Sequence, residues 1–339
     1  MRRVPSLDGL RAISIVLVIL SHLVKWKHVS LAITSAYGEL GVRVFFVLSG
    51  YLITMLLLRE QEKTSTICLS NFYVRRAFRI FPAAFVFLGI VVVLFWQQMH
   101  WYHVAAAVFY VSNMDISRPW IFGHLWSLSI EEQFYLLWPF ALKQWRRHKT
   151  KILVSAFLIT PLFHTALYAF RVHGGIVGSL PMYSDRLATG CLLAIFAPRL
   201  PRINRYAALL MLAAVVSIPL YPAINPVRSL FMLFVLQPIL NLSIAGLVLH
   251  VIQSPCRALN WGPVAWLGRI SYSLYLWQEA FCSNPSLHYG YTLALGALGC
   301  AAVSYYCVEQ PMLRLREKLA QKPARKGSAP ELETTSQPA

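Results

Sequence analysis

The chain has 339 residues, 57% of them hydrophobic and 13% charged, with 31 Lys and Arg against 13 Asp and Glu for a formal net charge of +18. A mean hydropathy of +0.55 excludes an ordinary soluble domain. No soluble domain exists on which the basic residues could gather, so nucleic-acid binding is excluded as the reason for the charge, and the composition is that of a polytopic protein whose partner is the lipid bilayer.

Apolar runs long enough to cross the hydrocarbon lie at 8–26, 39–58, 81–97, 124–142, 151–170, 182–197, 205–221, 228–253, 264–282 and 289–307. They predict an all-α fold of about ten transmembrane helices. The stretch 101–113 (WYHVAAAVFYVSN) is apolar but short, and reads as a re-entrant or interfacial piece between the third and fourth spans. If Met1-Arg2-Arg3 is cytoplasmic and the sides alternate, the segments 58–80, 143–151, 198–205 and 254–263 and the tail from 308 also fall inside, and nearly every basic cluster with them. Counting 101–113 as a full span would throw KQWRRHKTK and the basic tail outside, so both termini are expected in the cytoplasm. Residues 1–315 then form one membrane domain. Residues 316–339, basic and then polar with Pro and Ser, read as a disordered cytoplasmic tail. The six cysteines show no CxxC spacing and read as small apolar fillers, and the first apolar segment lacks the cleavage site of a signal peptide.

Polar groups inside or beside the spans are the candidates for chemistry. Arg11 and His22 share the first span, eleven steps and so roughly 16 Å apart, with Asp8 one turn from the arginine. The run GVRVFFVLSGYLIT brings Arg43, Ser49 and Gly50 into the second span; serine and glycine there mark close helix packing more readily than a nucleophile, and no triad surrounds Ser49 in sequence. Arg76 and Arg79, three apart and followed by Pro82, present two guanidinium forks on one face at the cytoplasmic boundary, suited to phosphate oxygens; as a positive-inside anchor they are equally well explained. Glu131 and Glu132 lie side by side about two turns into the fourth span, where an acidic residue costs around 2.5–3.5 kcal/mol, so at least one must face a wet cavity or a partner charge. Adjacent helix positions diverge by about 100°, so the two serve different neighbours. His22 and Glu131 are expected at a similar level in the membrane, where the carboxylate would orient the imidazole as a general base for a hydroxyl. The remaining histidines are scattered without HExxH or Cys/His spacing, so no metal site is expected; His100 and His103 read as an outer interface belt and His124 as a secondary residue.

In chain order, the arginine-x10-histidine segment, FFVLSGYLIT, the R-x-x-R-x-x-P run at 76–82, WSLSIEEQFYLLWP, DRLATGCLLA at 185–194, SYSLYLW at 271–277 and VEQP at 308–311 resemble the integral-membrane acyltransferase-3 family. The resemblance covers roughly residues 5 to 315, and the conjunction is far more specific than any single motif. It implies a bacterial inner-membrane enzyme moving an acyl group, commonly acetyl from acetyl-CoA, onto a hydroxyl of a carbohydrate or a glycosylated small molecule, with acyl-CoA as co-substrate and no permanently bound cofactor. His22 matches the family's essential histidine and Arg11 its paired arginine; Arg76 and Arg79 match the pair linked to donor handling, and Glu131 and Glu132 the acidic motif, with Asp185, Arg186 and Glu309 as supporting residues of the later motifs. Many relatives carry a histidine where this chain has Gln278, so that position is not expected to be catalytic, and the extracytoplasmic SGNH domain of larger relatives is not expected here. A proton-coupled transporter, which also places Arg, His and Glu inside spans, is the competing class, and a non-catalytic scaffold leaves the costly charges without a purpose.

Overall fold

A computed structural model describes residues 5–23, 31–172, 174–221, 230–282 and 290–321, and among these the structure is helical with no strand. The helices are α1 (Pro5–Leu23), α2 (Leu31–Thr64), α3 (Leu69–Leu94), α4 (Trp101–Val108), α5 (Leu125–Gln144), α6 (Lys149–Ala169), α7 (Ser184–Phe196) and α8 (Arg205–Ser217). A π-helical turn, Met232–Leu236, then leads into α9 (Gln237–Gln253), followed by α10 (Gly262–Arg269), α11 (Ser271–Cys282) and α12 (Gly290–Ser304). A second π turn, Tyr305–Glu309, joins α12 to α13 (Gln310–Gln321). Local signals agree with these bounds: the Asn204 side chain accepts from the Ala207 N–H to cap α8, and a proline occupies the first turn of α10, where its missing N–H costs nothing.

Six stretches among the described residues are long and apolar enough to cross a membrane: Pro5–Leu23, Ile33–Thr64, Leu69–Leu94, Arg146–Ala169, Met232–Gln253 and Thr292–Ala320. Shorter helices pack between them, α7 and α8 with 13 residues each and α11 with 12. The protein is thus an all-α polytopic membrane protein, as its composition predicts.

Two ends of the bundle can be told apart by their contacts. Where the chain begins, Ser6 Oγ donates to Asn260 Oδ1 at 2.7 Å, just ahead of α10. At the other end of α1, His22 meets Gln278 near the end of α11. We call these the amino face and the far face. Between them α2 packs most extensively on α7 and on α1. The α2–α7 crossing depends on two glycines: a Cβ on Gly50 would lie 2.2 Å from the Leu187 carbonyl oxygen, and one on Gly190 only 2.0 Å from that of Val47. The small residues of the second span therefore serve close backbone approach, the interface chemistry expected of helices in lipid.

Several boundaries differ from the sequence expectation. α3 starts at Leu69 rather than near 81, because arginine is a good helix former and Phe72 and Ile80 give this first part buried anchors. Arg76 and Arg79 are consequently inside a helix that enters the bundle. The apolar run 264–282 is broken at Ile270, between α10 and α11. The 101–113 stretch forms only the eight-residue α4, about 12 Å long and too short to cross, followed by turns in which Tyr110 adopts a left-handed φ of 54°. Residues 316–321, expected to be disordered, continue α13, whose LRLREKLA sequence is rich in strong helix formers; the rest of the tail lies outside the described residues. The cysteines are free, Cys191 and Cys282 buried and Cys256 and Cys307 exposed.

Candidate active site

Two cavities lie end to end along the bundle. The first, on the amino side, encloses about 760 Å³ including its open mouth. It is built from four helices that each contribute charge: Arg11 from α1, Arg76 and Arg79 from α3, Glu131 and Glu132 from α5, and Arg269 from the end of α10. Ser49 of α2 donates to Glu131 Oε1 at 2.6 Å and accepts from the Tyr135 hydroxyl at 3.1 Å. The Arg76 guanidinium lies over the Tyr135 ring, 4.8 Å from its centroid. Arg11 feels Arg79, Tyr135, Asp8 and Glu131, so the carboxylates and arginines form one electrostatic group. Glu309, in the second π turn, accepts a short hydrogen bond from Ser273 and lies within electrostatic reach of Arg79, a structural rather than a lining position.

The second cavity, toward the far face, is larger, about 1750 Å³. His22, with its side chain 18% exposed, reaches it from the last turn of α1. His22 Nδ1 lies 2.6 Å from Gln278 Oε1, and Gln278 Nε2 in turn donates to Glu279 Oε2 at 3.0 Å. The amide accepts on its oxygen and donates from its nitrogen, so Nδ1 carries the proton and Nε2 keeps its lone pair. The same Glu279 oxygen is 3.5 Å from His22 Nδ1 and 3.9 Å from His124 Nδ1. Gly123 permits this approach, since a Cβ there would come within 2.9 Å of Glu279 Oε1. Beside it runs an ionic network, buried except at Glu39: Arg186 Nη2 donates to Glu39 Oε1 at 2.7 Å, and Arg43 Nη1 donates to Asn241 Oδ1 at 2.8 Å. Asn241 Nδ2 closes it on Asp185 Oδ2 at 2.6 Å. Arg186 also sits over the Tyr183 ring at 5.0 Å. Val42 and Tyr275 line both cavities and form the wall between them. The Tyr275 hydroxyl is 2.6 Å from Ser127 Oγ, which faces the first cavity.

One expected pairing does not form. His22 is the penultimate residue of α1, whereas Glu131 is six residues into α5, about 9 Å from its start, so imidazole and carboxylate lie at different levels and Glu131 engages Ser49 instead. The carboxylate of His22 is Glu279, and Gln278, set aside on sequence grounds, touches the imidazole directly. Glu279, Gln278, Tyr275 and Arg269 are not among the site residues expected from sequence, and His124 is expected there only in a secondary role; a lone glutamate near the end of an apolar segment is the one sequence signal for Glu279. Arg11, Arg76, Arg79, Ser49, Glu131 and Glu132 all line the first cavity, and His22 and Arg186 the second. On the far-face loop His103 pairs with Asp115 at 2.5 Å rather than serving as a simple interfacial ring. Burial would raise the Asp115 carboxyl, but hydrogen bonds from His103 and Ser117 outweigh it and hold the group below its usual value.

The model of an acyltransferase domain family matches residues 4–306. The chain is 30% identical over 318 residues to the peptidoglycan O-acetyltransferase OatA of Listeria monocytogenes, covering 81% of this chain and 49% of that protein. It is 33% identical over 324 residues to a protein of Staphylococcus aureus named provisionally as an O-acetyltransferase, covering 85% and 52%. A Bacillus subtilis protein, YrhL, named provisionally as a peptidoglycan O-acetyltransferase, is 29% identical over 364 residues, covering 92% and 55%. The chain spans about half the length of the curated relatives it matches. No solved structure matches it.

Proposed function

The chain belongs to the acyltransferase-3 family of multi-pass bacterial membrane proteins, and from that premise we propose that it transfers an acetyl group from acetyl-CoA to a hydroxyl of a cell-wall glycan. The observation that carries this reading is the pair of cavities with one shared wall: arginines on the amino side, and an oriented imidazole on the far side. In this reading the amino face is cytoplasmic, in line with the basic loops gathered there. Arg76, Arg79, Arg11 and Arg269 hold the phosphates of the donor, because planar guanidinium forks match phosphate oxygens in pairs. Glu131 and Glu132 offset the mutual repulsion of those cations when the donor is absent. The pantetheine arm passes Val42 and Tyr275 and delivers the thioester to His22.

There the acceptor hydroxyl gives its proton to Nε2 of His22, its oxygen forms the new C–O bond at the thioester carbon, and the C–S bond breaks to release the thiol. Gln278 and Glu279 stabilise the imidazolium as it forms, the part first assigned to Glu131. Ser49 donates to a carboxylate rather than to an imidazole, which favours direct transfer over an acyl-serine relay. Two end-to-end cavities are also the anatomy of an alternating-access carrier, so the test must separate the two classes. In inverted membrane vesicles supplied with radiolabelled acetyl-CoA, label is expected in membrane-associated glycan. Acetyl-independent solute uptake with no labelled glycan would instead establish the carrier.

A further inference from the structure

The far-side cavity holds a second imidazole for which the transfer just described has no use. His124 is 3% exposed, and among the described residues neither Nδ1 nor Nε2 has a hydrogen-bond partner, although a neutral imidazole carries one donor and one acceptor. Such a group is costly to leave buried unless a bound molecule completes it. Its ring orientation is set by packing: Phe87 and Tyr275 meet it edge-on, each with centroids 5.5 Å away. Tyr275 is part of the wall between the cavities, so His124, which lines the second, lies directly beside that wall. Its Nδ1 faces the Glu279 oxygen, 3.9 Å away, and His22 Nδ1 faces the same oxygen from the other side at 3.5 Å.

We propose that His124 is the proton donor to the leaving thiolate, and that His22, Glu279 and His124 form one proton path from the acceptor hydroxyl to the sulfur. The inference rests on the acetyl-transfer reading. His22 accepts the hydroxyl proton at Nε2; as substrate closes the 3.5 and 3.9 Å gaps to hydrogen-bond length, its Nδ1 proton passes from Gln278 to Glu279, Glu279 gives a proton to Nδ1 of His124, and His124 delivers its Nε2 proton to the sulfur as the C–S bond breaks. The proton lost by oxygen is the proton count gained by sulfur, no redox partner is needed, and each ring ends in its other tautomer, restored by solvent exchange after release. Protonating the sulfur as the C–S bond breaks makes it a better leaving group, which is why a donor beside the wall is useful there.

The test compares leaving groups. Purified wild-type protein, His124→Gln, His124→Asn and His22→Gln are assayed for acetyl transfer to cell-wall glycan fragments from acetyl-CoA and from 4-nitrophenyl acetate, whose phenolate leaves without protonation. The readout is the ratio of the two rates in one preparation, which does not depend on the folded fraction. Both His124 variants are expected to lower that ratio about 10²-fold or more, the lower end of what general acids contribute, while His22→Gln lowers both rates together. An unchanged ratio in the His124 variants, whether both rates fall or neither does, overturns the proton path. A wild-type protein that transfers acetyl from neither donor overturns the acetyltransferase reading itself, a separate outcome.

Discussion

Gln278 decides which nitrogen of His22 is free. Its oxygen accepts from Nδ1 and its nitrogen donates to Glu279, so replacing it with leucine removes the tautomer lock while leaving the packing volume nearly unchanged. Gln278→Leu is expected to lower kcat by roughly 10²-fold with little change in the KM for either substrate, measured by steady-state acetyl transfer. Arg76 is a different case, since its plane lies on Tyr135 and it lines the first cavity, proposed to hold the donor. Arg76→Lys keeps the charge but loses the fork and the stacking, and should raise the KM for acetyl-CoA about tenfold while kcat changes little. At the far-face loop the Asp115 carboxyl sits below its usual value, so the His103–Asp115 pair adds stability that is fully present above the unfolded carboxyl's range and is lost as pH falls through the folded value. Asp115→Asn should remove the acid-side drop in detergent-solubilised melting temperature. Individual charged residues were legible in the sequence because lipid makes them conspicuous: Arg11, His22, Arg76, Arg79 and the glutamate pair all face a cavity. Their partners were less so. A helix written as a string gives depth only through its end points, and a few residues of error in α1 and α5 were enough to match His22 with Glu131.

The α2–α7 crossing is the element on which both cavities depend. Ser49 and Val42 project from α2 into the first cavity, while Arg186 projects from α7 into the second. Gly190 lets the backbones touch, and a side chain there would meet the Val47 carbonyl at a distance no atom tolerates. Gly190→Leu is expected to destabilise the fold by about 3 kcal/mol or more and to remove the monodisperse peak in size-exclusion chromatography, whereas a leucine at Gly89, which faces open space, should be tolerated. Span positions were readable from apolar run length alone, since membrane helices have no other way to satisfy their backbone. Where polar residues entered a helix the reading failed: α3 begins a dozen residues before its apolar run, because Arg75, Arg76 and Arg79 look like a loop to hydropathy and like good helix formers to the backbone.

At the scale of the molecule, the account requires a donor side and an acceptor side of the membrane. Cys256, exposed on the amino face between α9 and α10, reports which is which. With that face cytoplasmic, a membrane-impermeant maleimide should leave Cys256 unmodified in intact cells and label it in inverted vesicles. The division of labour between cavities could not be read from the sequence, because the wall of Val42 and Tyr275 joins residues more than two hundred positions apart. The most direct test of the central claim separates donor binding from transfer. His22→Ala, in which the arginine cavity is untouched, is compared with wild type for acetyl-CoA binding by calorimetry and for transfer of labelled acetyl to glycan. Donor binding is expected within about twofold of wild type and transfer reduced by at least about 10²-fold; transfer at the wild-type rate would exclude His22 as the base.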